Sequence, residues 1–107
     1  MDLYESLNQK LNDLAISVKQ LRITATNYAE AYKNYRIVLA KRLLELKNDG
    51  MAITLSSDVA RGDEEIAEAK KREIITEALY KANMESINAI KLEIKIIENQ
   101  ITREIGL

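Results

Sequence analysis

Apolar residues recur along this chain in two long runs of alternating three- and four-residue spacing, with glycine between them. In the first run Tyr4, Leu11, Val18, Ala25, Tyr32, Leu39 and Leu46 repeat every seven residues. Leu7, Leu14, Leu21, Tyr28 and Tyr35 follow three residues after them, with Arg42 the polar member of that line. Spacing of this kind sustained over six heptads predicts a coiled-coil seam along one long helix. The second run is clearest late, at Ile87, Ile90, Ile94, Ile97 and Ile101, and extends backward through Tyr80 and Ile66. Thr76 and Asn83 interrupt it, which predicts less regular packing in that stretch. Isoleucine at both seam positions favours assemblies of more than two helices.

Proline is absent, and glycine occurs at positions 50, 62 and 106, all read as helix stops. The punctuation predicts one all-α domain over 1–107, a helix over about 2–48, a connector over 49–62 and a helix over 63–105. Asp63 is the expected N-cap of the second helix, with Glu64 and Glu65 on its positive dipole end. The connector is too long for a tight helix–helix turn. Ser56 or Ser57 is expected to cap one helical turn there. Met51, Ile53, Leu55 and Val59 are then expected to close the open end of the bundle.

Each helix carries a second apolar line. On the first it is Ile16, Ile23, Ile37 and Leu44; on the second Ile75, Ala82, Ala89 and Ile96, with Ala78 and Leu92 alongside. A helix with one neighbour shows polar residues there, so two lines predict two neighbours. Helices of this length reach about 65–70 Å, whereas a compact chain of this size has a radius of gyration of about 13 Å. The expectation is a long antiparallel hairpin that self-associates through Ile16, Ile23, Ile37, Leu44, Ile75 and Ile96. The product is a dimer of hairpins forming a four-helix bundle, or a higher oligomer.

Charge changes this picture little. The chain has 16 basic and 17 acidic residues among 107, net −1. The half up to Gly50 carries eight basic and six acidic residues, the remainder eight and eleven. The asymmetry reads first as complementarity between helices. The basic stretch Lys33, Arg36, Lys41 and Lys47 is a candidate phosphate contact, diluted by Glu30, Glu45 and Asp49. Tyr28, Tyr32 and Tyr35 beside Lys33 and Arg36 have the residue types that stack bases, but their seam spacing predicts packing, with hydroxyls reaching Asn27, Asn34 or Asn83. Arg42, on the seam, calls for a carboxylate, and Glu64 or Glu65 stands at the right height.

Candidate chemistry is sparse. Cysteine and histidine are absent, which removes thiolate nucleophiles and Ser–His pairs and leaves only a Ser–Lys arrangement of Ser56 or Ser57 with Lys70 or Lys71. Asp58, Asp63, Glu64, Glu65 and Glu68 lack the spacing of a calcium loop. No catalytic residue, cofactor or metal is expected. The start, Met1-Asp2-Leu3-Tyr4-Glu5, has no signal-peptide character and no apolar run spans a bilayer, so a cytoplasmic protein without membrane contact is expected.

The stretches Tyr28-Ala-Glu-Ala-Tyr-Lys-Asn-Tyr-Arg-Ile-Val-Leu-Ala40, Ala78-Leu-Tyr-Lys-Ala82 and Ser86-Ile-Asn-Ala-Ile-Lys-Leu-Glu-Ile-Lys-Ile-Ile-Glu-Asn-Gln-Ile101 resemble small helical accessory proteins of tailed phages and prophages of Gram-positive bacteria. The resemblance implies action in a host cytoplasm, near replication or recombination, and carries no functional residue with it. Two functions follow as expectations. One is non-enzymatic binding of a host or phage protein; the other is a nucleic-acid accessory role through the basic stripe.

Overall fold

The computed structural model describes residues 2–106 and is helical, with three helices and no strand among those residues. Helix α1 runs Leu3–Asn48, α2 runs Ile53–Gly62 and α3 runs Glu64–Glu104. Asp2 opens α1 by accepting the Glu5 N–H at 2.8 Å, which satisfies one of the donors a helix start leaves unpaired. At the other end the Met51 N–H reaches the Leu46 carbonyl and the Gly50 N–H reaches that of Lys47. This double closure needs a left-handed residue, and Gly50 supplies it with φ 87°. Gly62 differs: it is the last residue of α2 and has no positive φ. The break before α3 is made instead by Asp63, extended at φ −66°, ψ 134°. Its carboxylate accepts the Glu65 N–H at 3.1 Å, the expected N-cap.

The chain divides into two compact units. Unit 1 comprises 1–24 and 80–107, so α1 residues up to Thr24 meet α3 from Tyr80 onward. The Lys10–Glu93 ion pair and the Asn83–Ser17 hydrogen bond fix the two segments as antiparallel, since the α3 number falls as the α1 number rises. Ile87, Ile90 and Ile94 are the buried core, with Ile97 and Ile101 half-buried beside them.

Unit 2 comprises 25–79. There Arg42 meets Asp63, and Lys70 lies over the Tyr35 ring at 4.8 Å, again an antiparallel order. Its buried residues are Ala31 and Leu46 from α1, Ser56 and Ala60 from α2, and Ile66, Ala69, Glu73 and Thr76 from α3. The Thr76 hydroxyl bonds its own helix, to the carbonyls of Arg72 (2.8 Å) and Glu73 (3.0 Å).

The α3 seam matches the expected spacing. The α1 seam is rotated. Leu7, Leu14, Leu21, Tyr28 and Tyr35 are half-buried as expected, but Lys10, Ser17, Thr24, Ala31 and Val38 stand beside them, three residues on. Tyr4, Leu11, Val18 and Tyr32, expected in the seam, are exposed, while Leu39 is half-buried and Leu46 buried. In unit 1 the physical reason is polar satisfaction. Asn83 Nδ2 donates to the Ser17 carbonyl at 3.0 Å, and the Thr24 hydroxyl donates to Asn83 Oδ1 at 3.1 Å. Against an apolar line of Leu11 and Val18 that half-buried amide would lose both bonds, each worth about 0.5–1.5 kcal/mol.

The connector also departs from expectation. It is a ten-residue helix, not one turn, and Ser56 is not its cap; the hydroxyl donates to the Ala52 carbonyl at 2.8 Å inside the helix. Its small residues Ser56 and Ala60 turn inward, while Ile53, Leu55 and Val59 face outward and are exposed, so they plug nothing. Small side chains four apart let a short helix lie close, and that close approach excludes the branched ones.

The glycines give a direct check. Gly50→Ala forces a left-handed alanine and is expected to cost about 1 kcal/mol. Gly62→Ala meets no atom within 4 Å of the added Cβ and is expected to be neutral or to stabilise by up to about 1 kcal/mol. Urea unfolding of the two variants should move the midpoint in one direction only for Gly50→Ala, downward.

Candidate association surface

The residues expected to mediate association lie outside the seams. In unit 1 these are Ile16, Ile23 and Ile96; in unit 2, Ile37, Leu44 and Ile75. All six are exposed, from 43% at Ile37 to 59% at Ile16 and Leu44. Large apolar residues that sequence reasoning had placed in the seam join them: Tyr4, Leu11 and Val18 in unit 1, Tyr32 in unit 2. Ile53, Leu55 and Val59 of α2 add a third set. The sequence signal for this last set is the Ser56/Ala60 spacing, which marks the inward face of α2.

Among the described residues, eighteen large apolar side chains are exposed. Only five are buried: Leu46, Ile66, Ile87, Ile90 and Ile94. Single exposed apolar residues are ordinary on any protein, but these recur at helical spacing, so each unit shows stripes and not scatter.

In unit 2 the charges are sorted. Lys33, Ile37, Lys41, Leu44 and Lys47 follow one another at four- and three-residue steps, which puts them on one outward face of α1. Lys33, Arg36, Lys41 and Lys47 are all exposed, and none forms a salt bridge among the described residues. A groove of about 570 Å³ runs between α1 and α3, with Val38, Ala69, Ile75 and Leu79 as its apolar lining and Glu65, Glu68, Lys71 and Arg72 around it. A second, of about 400 Å³, lies between Leu43, Leu44 and Lys47 of α1 and Ile53, Ser56 and Ser57 of α2.

The tyrosines are split by the rotated seam. Tyr28 and Tyr35 are half-buried, whereas Tyr32 is exposed; Tyr28 and Tyr32 meet edge to face at 6.4 Å. Asn83 is engaged by Ser17 and Thr24, and Asn27 and Asn34 line the larger groove.

Ser56, Ser57 and Lys70, weighed from the sequence as a Ser–Lys arrangement, are engaged with other partners. The Ser56 hydroxyl is buried against Ala52, and the Ser57 hydroxyl accepts from the Arg61 guanidinium. Lys70 donates to both carboxylate oxygens of buried Glu73, at 3.3 and 3.4 Å. No group of three or more acidic residues able to hold a metal ion comes together among the described residues. No helix there is long and apolar enough to cross a membrane.

The chain matches no family model, no curated protein and no solved structure.

Each unit has an ion pair between α1 and α3. In unit 1 the hydrogen bond and charge of Glu93 raise the Lys10 ammonium above its ordinary 10.5. A raised lysine stabilises fully below its unfolded value, so this pair persists through neutral pH and is lost only as pH climbs past the raised value. In unit 2 Arg42 meets Asp63, not Glu64 or Glu65. Its buried Nε lies 3.4 Å from Asp63 Oδ2, close enough for Coulomb attraction but without hydrogen-bond alignment, while Nη1 reaches Glu45 at 3.1 Å. Asp63 wins because as N-cap its carboxylate is already held at the start of α3. Asp63→Ala, losing cap and ion pair together, is expected to cost about 1–2 kcal/mol. Asp63→Asn keeps a capping oxygen and should recover more than half of that loss in denaturant titration.

Proposed function

We propose that this chain is a non-enzymatic helical accessory protein that works by binding protein, first of all further copies of itself, in a four-helix bundle or higher assembly. The observation that carries the reading is the excess of striped, exposed apolar surface over buried core. Burying a large apolar side chain gains about 1.5–3 kcal/mol, so exposed stripes at helical spacing favour association over solvation. Self-association consumes part of that surface and leaves the rest, α2 included, for a host or phage protein. The resemblance to phage accessory proteins supports action in the cytoplasm of a bacterial host.

The second reading is nucleic-acid binding, favoured by one observation: Lys33, Arg36, Lys41 and Lys47 are exposed on α1 with no carboxylate in salt-bridge reach among the described residues. Counterion release makes such binding fall steeply with salt. Affinity insensitive to salt, or absent at low salt, removes it.

Replacing Ile16 and Ile23 with aspartate is expected to dissociate the oligomer while circular dichroism stays helical, because neither side chain lies in the seam. An oligomer unchanged by the double substitution contradicts the reading. Affinity capture from a host lysate, with and without nuclease, separates the two partner classes: protein retained after nuclease supports the first, and recovery that collapses supports the second.

A further inference from the structure

We propose that the cavity between Tyr35, Arg61, Ile66 and Lys70 is an anion site that takes the phosphate group of a small phosphomonoester. The cavity, of about 290 Å³, lies in unit 2 and draws its walls from all three helices: Tyr35 from α1, Arg61 from α2, Ile66 and Lys70 from α3. It shares no residue with either of the larger grooves. Its size is at the small end of ligand cavities, which suits a small molecule better than a segment of another chain.

The lining offers donors only. A guanidinium and an ammonium have no acceptor, and no carboxylate lines the cavity. The Tyr35 hydroxyl makes no hydrogen bond among the described residues, its ring alone being engaged, by Lys70. A ligand that answers this set must itself be an acceptor, and the two cations make it an anion. Both cations are positioned from behind. Buried Glu73 accepts from Lys70 at 3.3 and 3.4 Å, while the Tyr35 ring lies 4.8 Å from the ammonium. Arg61 gives an Nη1 hydrogen to the Ser57 hydroxyl and keeps the rest of its planar fork. With Glu73 counted, two cations stand against one carboxylate, so the group retains positive charge. Three donor groups reach the cavity from three helices, which matches the three terminal oxygens of a phosphomonoester better than the two of a carboxylate. Ile66 is buried and Tyr35 half-buried, so an anion held there faces less water than one on the exposed α1 lysines.

The test is an amide NMR titration of the full chain, at constant ionic strength, with inorganic phosphate and then with phenyl phosphate. Saturable shifts are expected at Tyr35, Arg61 and Lys70 with both. Arg61→Ala, at an exposed position, should weaken phosphate at least about tenfold with circular dichroism unchanged. Tyr35→Phe keeps the ring under Lys70 and removes only the hydroxyl, and should weaken phosphate about threefold. Shifts that never saturate, or an affinity indifferent to both substitutions, overturn the proposal. So do shifts centred on Lys33, Arg36 and Lys41, which would place the anion on the basic stripe. Acetate bound at Tyr35, Arg61 and Lys70 as tightly as phosphate would overturn the assignment to a phosphate group.

Discussion

The constraint on which everything else depends is that one seam between two helices is too narrow to bury what these helices carry. Each residue in such a seam has neighbours on one side only, so most of its length is half-buried at best. In unit 1 even the central leucines of α1 are only half-buried, and full burial is reached by the α3 isoleucines alone. The remaining apolar residues have no place inside the pair, and the reading as an associating protein follows from that shortage of interior.

The seam that does form is chosen as much by polar groups as by apolar ones. Asn83 occupies a seam position in unit 1 and needs both a donor and an acceptor across the interface; Thr24 and the Ser17 carbonyl supply them. A half-buried seam asparagine of this kind is a device for specifying register at some loss of stability. The Lys10–Glu93 pair acts in the same direction but is half-exposed and contributes little energy. In unit 2 the corresponding polar elements are Arg42 with Asp63, and Lys70 held between Tyr35 and Glu73. Asp63 combines two tasks, ending the α2 connection and starting α3, so the ion pair ties the register to the helix boundary.

Helix α2 shows the same trade in miniature. Ten residues cannot bury a full amphipathic face, and this helix approaches with Ser56 and Ala60, leaving Ile53, Leu55 and Val59 outside. Close approach is obtained with small side chains, and the branched ones are displaced outward as a consequence.

The residue order by itself determined the helical class, the two long periodic segments, the Asp63 cap, the Gly50 stop and the α3 seam. These are local: propensity, spacing and caps act within a few residues and need no partner to be read. Tertiary structure alone decided which of two adjacent α1 lines turns inward, that Tyr32 lies outside, that Arg42 meets Asp63, and that α2 presents its branched side chains outward. Counting apolar residues cannot settle such choices, because Tyr4, Leu11 and Val18 make a more hydrophobic line than Lys10, Ser17 and Thr24. The less hydrophobic line nevertheless turns inward, half-buried, where the Ser17 carbonyl and the Thr24 hydroxyl satisfy the amide of Asn83.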